Sequence, residues 1–301
     1  TNQKTIDDMG FVGPRACTYA LANPMSDENP LLRVHLIPGL IEVAARNISR
    51  GAQNFAIFEM GSIFRSSKKL DTFINPETGS RPKDSVISQI FASVPEQTEM
   101  VSGLLVGKKE VENWQGKSTD FAWSDAVSFA QEILELCHLN FEVKRSDLAP
   151  WHPGRCAEIL VDGKVVAHAG EIHPRILSQY NLPPRSSAFA INLGALPESS
   201  LVRPNRVGVM PAAVQDVALI VESTVTALEV QQALMDGAGE LLESINLFDR
   251  YDKIGDGKIS LAFTLTFRAE DRTLTGEEVS AMREAATDLA AKRCGAVVRT
   301  A

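Results

Sequence analysis

After the turn-rich stretch Asn23-Pro24-Met25-Ser26-Asp27-Glu28-Asn29-Pro30, apolar Leu36, Ile37, Leu40, Ile41, Val43 and Ala44 recur at near-helical spacing and stop before Gly51. That spacing predicts an amphipathic helix. The residues ahead of Asn23, with Gly10, Gly13 and Pro14 and little periodicity, read as a leader into the fold. Residues 54–64 alternate as a strand does, with Glu59 in the middle, and a loop follows to about Lys83. Further strands are expected at 86–94 and 100–106. Ser124 is placed to cap a helix whose Val127, Ala130, Ile133, Leu134 and Cys137 fall on one face. Short strands are expected at 141–143, 157–161, 165–170 and 188–193. Asp162-Gly163 marks a tight hairpin, and His173-Pro174 opens a short helix. The pattern up to here is that of an α+β domain.

A proline-flanked run, 198–206, carries little apolar periodicity and suits a linker, which places a domain boundary at 206/207 and gives domains 1–206 and 207–301. Beyond it the pattern gives a strand at 214–221, a helix at 226–238 bounded by Gly237 and Gly239, and a longer strand at 241–251. Gly255-Asp256-Gly257 turns the chain. Residues 258–268 then put Ile259, Leu261, Phe263, Leu265 and Phe267 on one side in strict alternation, a half-buried strand. Thr275 with Glu278 is a capping-box signature, and Val279, Met282, Ala286, Leu289 and Ala290 form the buried stripe of the helix it opens. A strand at 296–299 closes the sheet. The order βαββαβ predicts a ferredoxin-like domain: two helices on one face of a four-stranded antiparallel sheet, the other face free. Such a face can stack RNA bases on exposed aromatics, but the fold serves many unrelated roles.

Composition narrows the function classes. The 301 residues are 44% hydrophobic and 23% charged, enough for about two globular domains. The longest apolar stretches, 36–45 and 260–267, fall far short of the roughly 20 residues a membrane helix needs. The start, Thr1-Asn2-Gln3-Lys4, has neither an initiator Met nor a signal-type apolar segment and reads as a cut inside a larger protein. Cys17, Cys137, Cys156 and Cys294 stand far apart without a CxxC pair, which argues against zinc or a disulfide framework and for a reducing cytoplasm. A net charge of −8 disfavours gripping nucleic acid, DNA included, by bulk charge, so any RNA contact must be local.

Several segments together resemble the beta chain of bacterial phenylalanyl-tRNA synthetase. In the first domain these are Asn23-Pro24-Met25-Ser26, Leu32-Arg33-Val34-His35-Leu36-Ile37-Pro38-Gly39-Leu40, Asn47, Phe58-Glu59-Met60-Gly61-Ser62-Ile63-Phe64, His152-Pro153-Gly154-Arg155 and Gly170-Glu171-Ile172-His173-Pro174. In the second they are Leu247-Phe248-Asp249-Arg250-Tyr251, Phe267-Arg268 and Arg272-Thr273-Leu274-Thr275 with Glu277-Glu278. The resemblance departs at Gln215, where the family has Arg ahead of the Asp matching Asp216. It implies a C-terminal fragment of a beta chain: a class II aminoacyl-tRNA synthetase-like core without catalysis, built on a mixed or antiparallel sheet, then a ferredoxin-like anticodon-binding domain. It further implies a cytoplasmic α2β2 ligase in which the alpha chain catalyses with ATP and magnesium while this fragment needs no cofactor. The core scaffolds that alpha chain; the terminal domain contacts the anticodon region of tRNA-Phe.

For RNA the candidate residues are Arg250, Tyr251, Arg268, Arg272 and Arg299, which offer stacking planes and phosphate or base donors; Phe248 is expected in the core. From residue 208 on, nine Lys and Arg stand against fifteen Asp and Glu, a net of −6, opposite to the usual basic footprint. In the first domain Arg33, Glu59, His152, Arg155 and His173 are core or interface candidates. An active class II enzyme would carry Arg where Phe58-Glu59-Met60 has none, and Glu59 fits a paired structural carboxylate better. Arg33 is expected to pair with a carboxylate, and His152 and His173 to be turn and helix-start residues hydrogen-bonded to backbone. A metal cluster of His152, Glu158, Glu171 and His173 lacks ligand spacing. Two other function classes remain open: a stand-alone enzyme around His152 and Glu171, and an interaction or small-ligand-sensing module that does not bind RNA.

Overall fold

A computed structural model describes residues 1–65, 76–77, 79–198 and 208–299. The chain divides into two units, Thr1–Val202 and Arg203–Ala301, each with its own apolar core. The boundary expected at 206/207, nearly all of the expected linker and much of the loop expected before residue 83 lie outside the described residues.

The first unit runs α1 (Gln3–Asp8), α2 (Ile37–Ser49), β1 (Phe55–Arg65), α3 (Asp84–Ala92), β2 (Glu96–Val106), β3 (Lys108–Glu110), β4 (Thr119–Asp120), α4 (Trp123–Leu136), β5 (Glu142–Arg145), β6 (Trp151–Val161), β7 (Lys164–Ile172), α5 (Pro174–Gln179) and β8 (Ser187–Asn192). Six strands form one antiparallel sheet in the order β1-β2-β8-β7-β6-β5, and β3 and β4 pair separately. Strand alternation builds a core on each face. Met100, Leu104, Ala188 and Ala190 meet α2 and the buried Trp151 on one side, while Leu105, Phe189 and Ile191 meet Ala126, Ala130 and Leu134 of α4 on the other. Gly103 makes room for Phe189, whose ring would lie 2.3 Å from a Cβ there. Asp162 and Gly163, at φ 50° and 73°, form the two-residue turn between β6 and β7 with the positive φ that such hairpins require.

Three expectations for this unit are corrected. The segment ahead of Asn23 contains α1, and Ile6, Met9 and Phe11 are buried in the core, because one and a half turns are too short to show a period. Residues 86–94 lie largely within helix α3, not a strand; Val86, Ile87, Ile90 and Phe91 also satisfy i, i+1, i+4, i+5 spacing, which the β-branched Val86, Ile87 and Ile90 mask. The cap of α4 is not Ser124. The helix begins at Trp123, and the Asp125 carboxylate accepts the Ala122 N–H at 2.8 Å.

The second unit runs β9 (Ala213–Glu222), α6 (Ala227–Ala238), β10 (Leu242–Gly255), β11 (Lys258–Phe267), α7 (Gly276–Cys294) and β12 (Val297–Val298). Its sheet has the order β10-β11-β9-β12, with β11 antiparallel to both neighbours, the ferredoxin-like arrangement. Ile259, Leu261, Phe263, Leu265 and Phe267 are all buried in a core with Val230 and Leu234 of α6 and Val279, Ala286 and Ala290 of α7. Both helices open with a capping box, Thr226 with Glu229 and Thr275 with Glu278. Gly237 does not bound α6. It lies inside the helix where α7 crosses, and a Cβ there would lie 2.7 Å from the Ala286 Cα and 2.8 Å from the Ala285 carbonyl oxygen.

Candidate functional site

The second unit keeps one sheet face clear of helices. In the register of its strands, Tyr251, Ser260, Ile220 and Val297 form one row across that face, and Asp249, Ala262 and Ala218 form the next. Arg299 donates its backbone N–H to the Ala218 carbonyl and sets its guanidinium over the Tyr251 ring, 5.9 Å from the centroid. Tyr251 is 44% exposed. Phe248, expected in the core, is 54% exposed: the ladder shifts register between Leu247 and Asp249, so Phe248 is an extra residue that the alternation cannot turn inward.

The other three arginines proposed for RNA are engaged within the unit. Arg250 pairs with Asp252 at 2.8 Å. Arg268 binds Glu243 at 2.9 Å and donates to the Met210 carbonyl. Arg272 pairs with Glu278, which together with the Thr275 hydroxyl and N–H holds that carboxyl down at about 2. Gln215, at the departure from the family pattern, accepts from Arg283 at 3.5 Å.

In the first unit Arg33, just ahead of α2, reaches β1. Its guanidinium pairs with Glu59 and donates to the Ser62 carbonyl at 2.8 Å, each charged side chain about one-third exposed. Gly61 leaves space for it, since a Cβ there would fall 2.3 Å from the Arg33 Nη2. Arg155 on β6 pairs with the buried Glu171 on β7 at 2.6 Å. His152 accepts the Gly154 N–H through Nδ1 at 3.0 Å, and His173 caps α5 by accepting the Arg175 N–H at 3.2 Å; the two rings stack 6.2 Å apart. Glu158 faces His168 instead, at 3.9 Å. Among the described residues no group of three or more His, Cys, Asp and Glu is placed to hold a metal ion.

Pattern reading overlooked an aromatic ladder, buried at Phe11, His35 and Trp151 and half-buried at His168, with successive centroids 5.4, 6.2 and 5.6 Å apart. Burial, then Arg65, Arg15 and His168, keep the His35 imidazole well below its usual range. Burial, then Arg15 and Arg65, bring His168 down to about 4. His35 Nδ1 accepts the Ile37 N–H at 3.2 Å and so supplies the start of α2, where no residue caps by side chain in the usual way. A histidine two residues ahead of a Pro-containing helix start was the available signal.

β1 is an edge strand, and its Phe58 and Met60 are 77% and 67% exposed. Beside them Ala56, Val101, Leu105, Phe129 and Ile133 line an apolar groove of about 320 Å3. No helix among the described residues is long and apolar enough to cross a membrane.

Comparison with known proteins adds identity to this geometry. The family model of the phenylalanyl tRNA synthetase beta chain CLM domain matches residues 1–193, and that of the ferredoxin-fold anticodon binding domain matches residues 209–299. The chain is 43% identical to a phenylalanine–tRNA ligase beta subunit of Streptomyces avermitilis over 99% of its length and 37% of that protein's. It is 41% identical to that of Cutibacterium acnes, over 99% and 36%, and 40% identical to that of Thermobifida fusca, over 95% and 35%. It thus spans a little over a third of the length of these relatives. A solved pyrrolysyl tRNA synthetase of Desulfitobacterium hafniense overlays at a TM-score of 0.36 with 14% identity, over 58% of this chain and 50% of that one, too distant to bear on the fold. On the match across its first 193 residues, the chain belongs to the phenylalanyl tRNA synthetase beta chain family.

Proposed function

We propose that this chain is a non-catalytic part of phenylalanine–tRNA ligase, in which the second unit binds the anticodon region of tRNA-Phe and the first scaffolds the catalytic alpha chain of an α2β2, cytoplasmic enzyme. The observation that carries the reading is the open sheet face of the second unit, where Tyr251 lies under Arg299 with Phe248 exposed nearby, in the segment that the anticodon-binding family model matches. A base stacks on such a platform without needing a basic surface, which reconciles RNA binding with a net charge of −6 from residue 208 on. Phosphate affinity then comes from elsewhere in the holoenzyme. Of the arginine candidates, Arg299 acts directly, while Arg250, Arg268 and Arg272 shape the surface from their intramolecular pairs.

The six-stranded antiparallel sheet flanked by helices, with α2 leading into β1, supports reading the first unit as a class II synthetase-like core. Glu59, paired with Arg33, stands where an ATP-gripping strand would need a free arginine, so ATP and magnesium belong to the alpha chain and this part works without a cofactor of its own. Its contribution to rate is positional: tRNA held in register raises the effective concentration at another chain's catalytic centre.

The test is tRNA-Phe binding by the assembled enzyme with Tyr251→Ala. Loss of one base–aromatic stack predicts about a fivefold or greater loss of affinity, with the salt slope nearly unchanged because no phosphate contact is removed. Unchanged affinity sinks the RNA reading and favours a protein-interaction or ligand-sensing module.

A further inference from the structure

The first unit contains a cleft that neither proposed role uses. It has a volume of about 550 Å3, inside the range of small-molecule sites, and is lined by Asp120, Phe121, Trp123, Arg155, Glu171 and Arg185. A second hollow of about 370 Å3, on the side of α5, shares Arg155, Glu171 and Arg185 with it.

The charges in this lining are balanced: two arginines against two carboxylates. They are also unequally engaged. Glu171 is 4% exposed, and its Oε2 accepts from Arg155 Nη1 at 2.6 Å, while its Oε1 has no partner among the described residues. That oxygen is not sealed from solvent, so a donor entering the cleft can reach it. Arg185 has no side-chain partner among the described residues, and its backbone sits at φ 66°, in the left-handed region. Trp123, 43% exposed, and Phe121 supply flat apolar surface on the same lining.

Single-sign ligands fit this set poorly. A polyphosphate would face Asp120 and Glu171, a divalent cation would face two guanidinium groups, and an uncharged apolar molecule would leave Arg185 and the Glu171 Oε1 without partners. A dipolar ligand satisfies both ends. We propose that this cleft is a site for a free α-amino acid with an apolar side chain, distinct from the RNA face: the ammonium donates to Glu171 Oε1, the carboxylate accepts from Arg185, and the side chain lies against Phe121 and Trp123. Arg155 fixes the Glu171 carboxylate and is a positioning residue.

Calorimetric titration of the 301-residue chain tests this, with L-phenylalanine as probe and two analogues that each lack one charge, phenethylamine and 3-phenylpropanoate. Saturable one-site binding of L-phenylalanine below about 10 mM is expected, at least fivefold weaker for each analogue and at least fivefold weaker in Arg185→Gln. Arg185 is exposed, and the unfolding temperature of the variant reports that it is folded. Absence of saturation overturns the site. An analogue that binds within fivefold of the amino acid, or an Arg185→Gln chain that binds it as well as the parent does, overturns the dipolar assignment.

Discussion

Neutral imidazoles at His35 and His168 tie the stability of the first unit to pH. In the unfolded chain both titrate near 6.5. In the fold, burial and the flanking Arg65 and Arg15 hold His35 well below that value and His168 at about 4, even with the Glu158 carboxylate 3.9 Å from His168. The unfolded chain therefore takes up protons first as pH falls. The stability these groups contribute is complete above pH 6.5 and is lost on acidification, at up to about 1.4 kcal/mol per pH unit for each histidine within its window, which for His168 closes near pH 4. Urea unfolding of the chain between pH 7.5 and 4.5 should show this fall, and His168→Gln should make it shallower; an unchanged slope would mean that His168 is protonated in the fold. The sequence held the histidines but not their burial, because nothing in local pattern reports that residues 11, 35, 151 and 168 converge. Phe248 fails in the opposite direction: a large apolar ring suggests the core, but its neighbour Leu247 takes the inward position and Phe248 sits exposed at a one-residue bulge.

At the scale of elements, legibility tracked the length and regularity of the period. β11 and α7 were readable because ten alternating residues and a Thr275–Glu278 box admit one interpretation. α3, nine residues rich in Val, Ile and Phe, admits two. Gly237 looked like a helix terminator because glycine is rare in helix interiors; the crossing with α7 supplies the reason it is tolerated there. Substituting Gly237→Ala gains about 1 kcal/mol of intrinsic helix propensity. The added methyl, however, would meet backbone atoms of α7 at 2.7 and 2.8 Å, which cannot swing aside as a side-chain end can. The clash should win, with a net loss of about 1–2 kcal/mol and displacement of the α6–α7 pair. Thermal unfolding of the second unit reads this directly, and a stabilised variant would show that the crossing relaxes at no cost.

For the molecule as a whole, the order of elements in the second unit was legible, whereas the exposed surfaces were not, because exposure depends on which strand is left at the edge of a sheet. β1 illustrates this. Its eleven residues form a long edge, which proteins ordinarily shorten, charge or cover. Here the side chains pointing away from α2 include Phe58 and Met60, both mostly exposed, with Phe58 lining the groove beside Phe129 and Ile133, while Glu59 on the opposite side is paired with Arg33. Under the scaffold role proposed above, an alpha chain covers this surface. Burying two side chains of this size is worth about 3–6 kcal/mol at an interface. Replacing them with acids, Phe58→Asp with Met60→Asp, turns that gain into a desolvation penalty while leaving the core of the unit untouched. The doubly substituted chain, co-expressed with the alpha chain of the same organism, should remain folded by circular dichroism yet fail to co-purify with it on size exclusion. Co-purification at the parental level would place the alpha-chain interface elsewhere and leave the apolar edge of β1 without an assigned cover.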